Sequence, residues 1–352
     1  MASTQLLNQL IDIVTKENAS DLHLSEGRSP VIRVAGFLIP LLKIAPLTKS
    51  DLEEFLEIFL SAENKRQYLT NKEANFAYSV DDVRFRGNAF LKLGKMSVAL
   101  RLIQSRIRTL AELGLPTILE TFTKKQQGFF LVVGPAGQGK STTLASMIEM
   151  INEERLEHIV TIEDPVEYIF EPKKALVDQR EVGSDTPDFK TALWGAFRQD
   201  ADVIMVGEMR EPETIATAVT AAETGHLVYS TLHTNTAAQT VDRIIDSFPS
   251  DQQDQIRIQL SSSLIGIFSQ RLIPRISGGL IPAYELLLNN NAVGNLIREK
   301  RSHEINSVIE TGSEDGMIDL NRCLANLVRT GEITAENALL YSANPKTLER
   351  MI

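Results

Sequence analysis

Cysteine is almost absent from this chain. Among its 352 residues the one cysteine is Cys323, which excludes an internal disulfide and a zinc site built from several thiolates. Histidine is scarce as well, and the five histidines include no pair spaced four residues apart. We therefore expect no histidine metal site, and we expect Cys323 to be a small buried side chain.

The chain also lacks a long apolar run and an excess of positive charge. No run approaches the ~18 residues of a membrane-spanning helix, and residues 1–20 lack the basic start of a signal peptide. The net charge of −10 weighs against a broad nucleic-acid-binding surface, although it leaves a local basic channel open. These absences predict a cytoplasmic protein with no membrane span and no nucleic-acid partner.

Two patterns of secondary structure divide the sequence. Residues 1–101 mix helical segments with short strands, which predicts an α+β domain with a mainly antiparallel sheet. Residues 102–115 are expected to form a linker. Strands and helices alternate across residues 116–352, which predicts a doubly wound, mainly parallel α/β sheet, with only helices from about residue 289. The expected strands of this sheet are "GFFLVVG", "HIVTIED", "VIMVGE", "HLVYSTLHT" and "IPAYELLL".

A glycine-rich segment predicts a phosphate-binding loop. Residues 134–143, "GPAGQGKSTT", match G-x-x-x-x-G-K-[ST] between an apolar run and a helical segment. Its backbone amides and the following helix N-terminus would bind phosphate oxygens, Lys140 would reach the β- and γ-phosphates, and Ser141 would ligate Mg²⁺. We therefore predict ATP and Mg²⁺ as cofactors, with the nucleotide bound by Gly134, Pro135, Ala136, Gly137, Gln138, Gly139, Lys140, Ser141 and Thr142.

Acidic residues and a histidine follow the other predicted parallel strands. Open α/β sheets bind ligands at the carboxyl ends of their strands. "HIVTI" leads to Glu163 and Asp164, "VIMV" leads to Glu208, and "LVYSTL" leads to His233. Glu208 is the expected catalytic acid that orients the attacking water. Glu163 or Asp164 would support the metal, directly or through water, or the water network, and His233 would sense the γ-phosphate.

Two polar residues are expected at the opposite ends of these strands. Asp202 lies at the entrance of the strand that leads to Glu208, so we expect it to be structural. His226 precedes the strand that leads to His233. A structural hydrogen bond and a catalytic role both remain open for His226.

These segments together resemble the motor ATPases of secretion systems and pili, and most closely the PilT-type retraction ATPases of type IV pili. The resemblance covers nearly the whole chain. "GPAGQGKSTT" is similar to the Walker A loop of that family, and "TIEDPVEYIF" with "QREVGSDT" resembles its aspartate box. "DADVIMVGEMREPETI" resembles the Walker B box, which assigns the catalytic acid to Glu208. "TAAETGHLVYSTLHTNTAAQTVDRIIDSFP" resembles the histidine box, so His226 and His233 both match motif positions.

The resemblance implies a fold and a set of partners. The fold is a RecA-like P-loop domain preceded by a smaller PAS-like α+β domain, assembled into a homo-hexamer. Arg86 and Arg101 of a neighbouring subunit would reach the γ-phosphate, with Arg84 as the alternative to Arg86 on the same strand face. An inner-membrane pilus platform protein and the pilus base machinery are the implied partners, which would place the chain peripherally at the inner face of the cytoplasmic membrane.

The C-terminal helices and the missing cysteines indicate which motor this is. Assembly and type II secretion ATPases usually carry a four-cysteine zinc module, which is absent here. "AVGNLIRE", residues 292–299, resembles the retraction motif A-I-R-N-L-I-R-E at six of eight positions, with Gly294 in place of arginine. We therefore predict an ATP-hydrolysing hexameric motor for type IV pilus retraction and twitching motility.

Three alternatives remain beside this prediction. The loss of a charge at Gly294 favours an accessory retraction ATPase or a type II secretion-like motor. A slow ATP-dependent regulatory scaffold is disfavoured by the intact Lys140, Ser141 and Glu208. A nucleic-acid translocase is disfavoured by the negative net charge.

Overall fold

The computed structural model describes residues 2–17, 19–34, 36–81, 83–103 and 106–352. Two compact units form: residues 1–106 with 167–169, and residues 107–166 with 170–352. Within the predicted linker 102–115, residues 104 and 105 lie outside the described residues, and residues 107–115 belong to the second unit. Each unit has its own sheet and its own hydrophobic core.

The first unit combines three helices with a six-stranded antiparallel sheet of order β3-β2-β1-β6-β5-β4. Its elements are α1 (Ala2–Lys16), β1 (Asp21–Ser25), β2 (Val31–Val34), β3 (Phe37–Pro40), α2 (Lys49–Phe59), α3 (Ala62–Asn71), β4 (Glu73–Val80), β5 (Val83–Lys92) and β6 (Lys95–Ile103). The predicted antiparallel α+β architecture is confirmed. Helix α3 was not predicted, because it buries none of its side chains and so lacks an apolar stripe.

Helix α2 shows how the sequence sets an element of this unit. Thr48 is its N-cap, and a capping box forms because the Thr48 hydroxyl accepts from Asp51 N at 3.2 Å while the Asp51 carboxylate accepts from Thr48 N at 2.7 Å. Leu52, Phe55 and Phe59 then recur at helical spacing and are buried. The helix therefore covers the sheet with an apolar face.

The second unit contains a seven-stranded sheet of order β13-β12-β7-β11-β10-β8-β9, in which all neighbours are parallel except β12 and β13. Its elements up to the last strand are α4 (Leu119–Thr123), β7 (Gly128–Val133), α5 (Lys140–Glu154), β8 (His158–Glu163), β9 (Leu176–Glu181), α6 (Phe189–Ala196), β10 (Val203–Val206), α7 (Pro212–Glu223), β11 (Leu227–Leu232), α8 (Ala237–Asp246), α9 (Ser250–Ser263), β12 (Leu264–Pro274) and β13 (Leu280–Leu288).

The predicted doubly wound, mainly parallel sheet is confirmed, but it has two strands more than expected. Every residue of β7, β10 and β11 is buried, which matches their continuous apolar sequences. β9 was missed because its sequence, "LVDQRE", is mostly polar, and β12 was missed because "SQR" interrupts its apolar run. β12 lies directly beside β7, so the phosphate loop begins next to an element that sequence reasoning overlooked.

The chain beyond β13 is helical, as predicted, apart from a single bridge between Leu286 and Ile318. Its helices are α10 (Asn291–Arg298), a 3-10 turn (Ser302–Glu304), α11 (Ile305–Thr311), α12 (Leu320–Arg329), α13 (Ala335–Tyr341) and α14 (Pro345–Leu348). Among the described helices none has the length and apolar content that crossing a bilayer would require.

Gly294, the departure from the C-terminal motif, is buried in α10. A Cβ at this position would lie 3.4 Å from Ser261 O in α9 and 3.5 Å from the Arg298 guanidinium. The motif arginine would therefore project towards another guanidinium at a helix–helix contact. Glycine at this position therefore affects the packing of α10 against α9, in addition to removing a charge.

Candidate nucleotide site

The loop after β7 has the backbone of a phosphate-binding nest. Gly134, Gly137 and Gly139 have φ values of 148°, 75° and 80°, a region that favours glycine. At Gly134 a Cβ would also lie 2.4 Å from the backbone oxygen of Gln270. Both the dihedral angle and the close approach of β12 therefore require glycine at the start of the loop.

Lys140 is the first residue of α5 and lies inside this loop. Its side chain is buried, and Nζ donates to Gly134 O at 2.8 Å and to Pro135 O at 2.9 Å. No side chain caps the N-terminus of α5, whose N-cap is Gly139, and Ser141 is exposed there. An ammonium group, an open helix N-terminus and a glycine nest together form a site for a phosphate-bearing ligand.

Neighbouring strands place Glu163 and Glu208 side by side. β8 and β10 pair in parallel, and Gly207 N donates to Ile162 O at 2.8 Å directly after β10. A Cβ at Gly207 would lie 3.4 Å from Glu163 Cα. Glu163 ends β8 and Glu208 follows β10, so the two residues lie at the same edge of the sheet.

Glu163 is buried and hydrogen-bonded. Its Oε1 accepts from Thr161 Oγ1 at 2.7 Å and from Gln179 Nε2 at 3.3 Å. Gln179 comes from β9, and its own Oε1 accepts from Phe170 N at 2.9 Å. The unpredicted strand β9 thus fixes both Glu163 and the loop that follows it. Asp164, next in sequence, is exposed.

Glu208, His233 and Lys140 form a chain of contacts. Lys140 Nζ lies 3.4 Å from His233 Nδ1, and His233 Nε2 lies 3.5 Å from Glu208 Oε2. Since an ammonium group only donates, Nδ1 is the acceptor of this contact, and the Nε2 edge of the ring faces the carboxylate. Arg210 Nη2 lies 2.6 Å from the other oxygen, Glu208 Oε1. Two of the predicted strand-end residues, Glu208 and His233, therefore lie in a chain of contacts with Lys140 of the phosphate loop.

Two predicted positions lie away from this cluster. Asp202 Oδ2 accepts from His158 N at 2.8 Å at the entrance of β10, as expected of a structural residue. His226 precedes β11, whereas His233 follows it. Its Nδ1 is 3.0 Å from Ala221 O, and its ring packs edge-on against another aromatic ring. The contacts of His226 within this chain are structural, and its catalytic role stays a prediction.

The predicted arginines belong to the first unit, where they form one row across the sheet. Arg33 in β2, Asp21 in β1, Arg101 in β6 and Arg86 in β5 are successive cross-strand partners and so share one face. Arg101 Nε donates to Asp21 Oδ1 at 3.0 Å, and Arg33 Nε lies 3.7 Å from Asp21 Oδ2. We call these four residues the arginine row; it carries three guanidinium groups and one carboxylate.

The side chains beside the phosphate loop can supply some, but not all, of the oxygen ligands that Mg²⁺ requires. Within the described ranges, no three His, Cys, Asp or Glu side chains gather as a metal site. Mg²⁺ in phosphate-transferring sites is commonly held by one or two protein oxygens together with phosphate oxygens and water. The hydroxyl of Ser141 beside the phosphate loop, with carboxylates at the adjacent strand ends, fits that mode of binding.

Sequence reasoning missed three residues that the structure brings to the site: Arg210, Gln179 and Gln270. Arg210 carried a local signal, because it follows Glu208 by two residues. Gln179 is the first residue of "QREVGSDT", a segment that was recognised without a role for this side chain, whereas Gln270 lies outside every recognised segment.

The phosphate-loop geometry can be compared with known proteins. The family model of the type II/IV secretion system protein matches residues 2–281. The chain belongs to this family.

Two similar proteins and one solved structure indicate which members of the family this chain resembles. The chain is 43% identical over 333 residues to the type IV pilus retraction ATPase PilT of Pseudomonas aeruginosa, covering 94% of this chain and 96% of that protein. It is 42% identical over 322 residues to a twitching motility protein of Neisseria gonorrhoeae, covering 91% and 86%. A crystal structure of the pilus retraction motor PilT with bound ADP matches with a TM-score of 0.91 and 44% identity, covering 97% of this chain and 98% of that chain. The predicted resemblance to PilT-type ATPases is confirmed.

Proposed function

We propose that this chain is the ATP-hydrolysing motor that powers type IV pilus retraction and twitching motility. The chain of contacts from Lys140 through His233 to Glu208 supports ATP hydrolysis. It connects the lysine that would bind phosphate to the carboxylate that would orient water. The similarity to retraction and twitching proteins supports the mechanical task.

In the proposed site, Lys140 and the loop amides bind the β- and γ-phosphates, while Ser141 and the carboxylate of Glu163 or Asp164 would hold Mg²⁺. When bound, Mg²⁺ neutralises charge on the phosphate oxygens. Glu208 orients the attacking water and accepts its proton, and His233 reports the γ-phosphate to Glu208. Arg210 is exposed over 76% of its side chain, so it can leave Glu208 at small energetic cost.

The proposed assembly is a homo-hexamer in which the arginine row of one subunit serves the site of its neighbour. Arg86 and Arg101 would neutralise charge on the transferred phosphoryl group. Arg86 is preferred over Arg84 because Arg86 is exposed and pairs directly with Arg101. Residues 1–101 and 116–352 would be the moving domains, with residues 102–115 as the hinge. A pilus platform protein at the inner face of the cytoplasmic membrane would receive the motion.

The variant Glu208→Gln tests the chemistry. It should bind ATP as tightly as the wild type but lose turnover, because the amide cannot accept the proton of water. Glu211→Gln is the matched control, since Glu211 is exposed and its side chain caps no helix. ATP binding and phosphate release are measured for both. Full turnover in Glu208→Gln would refute the assignment.

Deletion of the gene tests the mechanical task. Loss of twitching with pili retained on the cell surface is the expected outcome. Loss of a secreted protein instead would support the secretion-motor alternative, and a purified protein that binds ATP without measurable turnover would support the regulatory scaffold.

A further inference from the structure

Strand β12 presents three consecutive polar side chains beside the phosphate loop. Ser269 of the "SQR" triplet pairs with Val133, the last residue of β7. Because side chains alternate along a strand, Gln270 points to one face of the sheet while Ser269 and Arg271 point to the other. The triplet is therefore positioned to contact the loops on both faces.

On one face, Gln270 and the phosphate loop exchange hydrogen bonds. The buried Gln270 donates from Nε2 to Gln138 O at 2.8 Å and accepts at Oε1 from Thr143 Oγ1 at 2.7 Å. In return, Gln138 Oε1 accepts from Leu272 N at 2.7 Å. β12 thus binds both the backbone and the side chain of one loop residue.

The bond to the Gln138 carbonyl also fixes an amide. The peptide bond between Gln138 and Gly139 is trans, and in a trans peptide the C=O and the next N–H point in opposite directions. Since the Gln138 carbonyl points to β12, the Gly139 N–H points away from β12. Gln270 therefore sets the direction of an amide at the start of α5, where phosphate would bind.

On the other face, the same strand holds the loop that carries His233. Ser269 Oγ donates to Asn235 O at 2.8 Å, and Arg271 Nη2 donates to the same oxygen at 2.8 Å. Asn235 follows His233 by two residues. One strand therefore fixes the positions of the loops that supply Lys140 and His233.

We propose that Gln270 is a positioning residue for nucleotide binding: it holds the phosphate loop in the orientation that receives the β-phosphate. It acts through Gln138 and touches no reacting atom. The proposal rests on the nucleotide binding stated under the proposed function, and it assigns to β12 a role that the phosphate-loop motif does not contain.

The test compares three variants of the full chain. Gln270→Met keeps the volume and loses both hydrogen bonds, and Gln270→Glu keeps the acceptor for Thr143 while losing the donor to Gln138 O. Tyr229→Phe is the matched control, because it removes a buried donor to Phe122 O, 3.1 Å away in the same unit, without touching the loop. Equilibrium titration with ADP should show binding weakened about tenfold for both Gln270 variants and unchanged for the control.

Hydrogen exchange of residues 134–143 without nucleotide is the second measurement. Exchange there should quicken in both Gln270 variants and stay unchanged in Tyr229→Phe, which separates a freed loop from general destabilisation. Wild-type ADP affinity together with unchanged exchange in Gln270→Met would overturn the proposal. Failure of the wild type to bind ADP would overturn the proposed function, and the exchange result would still decide whether Gln270 orients the loop.

Discussion

We call Lys140, Glu163, Glu208 and His233 of the second unit the nucleotide edge. The charged groups of this edge differ in burial and partners from those of the arginine row in the first unit. At the edge, Lys140 is 7% exposed and bonds two loop carbonyls, and Glu163 is 6% exposed and accepts from Thr161 and Gln179. In the row the carboxylate of Asp21 is buried, but the Arg101 guanidinium that bonds it is 67% exposed. Buried charges need fixed partners, whereas exposed ion pairs exchange partners at small cost. The edge is thus organised in advance, and the row is free to bind an anion from another molecule.

The largest effect is expected from breaking the row. Arg86→Gln should lower turnover by about 1000-fold while leaving ADP affinity near the wild-type value, because the guanidinium acts on charge that develops during phosphoryl transfer. Steady-state phosphate release and ADP titration measure the two quantities.

A mixing experiment decides whether this arginine acts across subunits. Arg86→Gln and Glu208→Gln are each expected to be inactive. In randomly mixed rings about one quarter of the subunit interfaces would combine an intact Glu208 with an intact Arg86. Recovery of activity on mixing supports action across subunits. No recovery, in rings shown to have exchanged subunits, would place both groups in one subunit's own site.

The second prediction concerns the loss of the Lys140 ammonium group from the nucleotide edge. Lys140→Gln should weaken ATP and ADP binding by roughly 100-fold, since a charge-assisted hydrogen bond to phosphate is lost. This variant should thus fail in binding where Arg86→Gln fails in turnover. Titration of both variants with ADP checks the contrast, and equal losses of affinity would erase the distinction between the edge and the row.

The sequence predicted the parts of the edge that are continuous in the chain. Residues 134–143 carry their own loop geometry, and Glu163, Glu208 and His233 follow strands that their apolar sequences reveal. Gln270 lies 132 residues from Gln138. Its role depends on β12 pairing with β7, which no local pattern encodes.

The arginine row shows the same limit of local patterns. The sequence predicted short antiparallel strands within residues 1–101, and the resemblance pointed to Arg86 and Arg101. The contribution of Arg33 and Asp21 became visible only when strand register aligned four residues across four strands. Register is set by pairing between distant segments, so a periodic pattern alone does not determine it.

The third prediction concerns the pH dependence of stability that a buried carboxylate of the second unit, Glu285, should cause. Burial raises the pKa of Glu285 in β13 to about 7, against a partial lowering by its hydrogen bond from Ala237 N. Asp319 raises this pKa further and Arg271 lowers it, while burial lowers the pKa of Arg271 itself. Glu285 bonds the first residue of α8, so its charge affects the helix that follows the His233 loop.

The sign follows from the raised pKa. Between about pH 4.5 and 7 the folded chain keeps a proton on Glu285 that the unfolded chain has released, so the free energy of unfolding falls as pH rises through that window. The full change in the free energy of unfolding is of the order of 3 kcal/mol. Glu285→Gln should remove it, so the Tm difference between pH 5 and pH 8 should be smaller in the variant. Equal differences would contradict the raised pKa.

The smallest effect is expected from Asp21→Asn in the row. Asp21 is the shared carboxylate of Arg101 and Arg33, and both partners are exposed enough to be solvated without it. Because Asp21 itself is buried, the cost in stability should be about 1–2 kcal/mol, and nucleotide affinity should not change. Thermal unfolding and ADP titration measure both.

Turnover in Asp21→Asn shows whether Asp21 only restrains Arg101 or orients it for catalysis. If Asp21 only restrains Arg101, releasing the guanidinium should leave turnover within about threefold of the wild type. Arg33→Gln is the matched control, because it removes a competitor for Asp21 and keeps the bond from Arg101. A loss as large as that of Arg86→Gln would mean that Asp21 orients Arg101 for catalysis, and the row would then be organised in advance in the same sense as the edge.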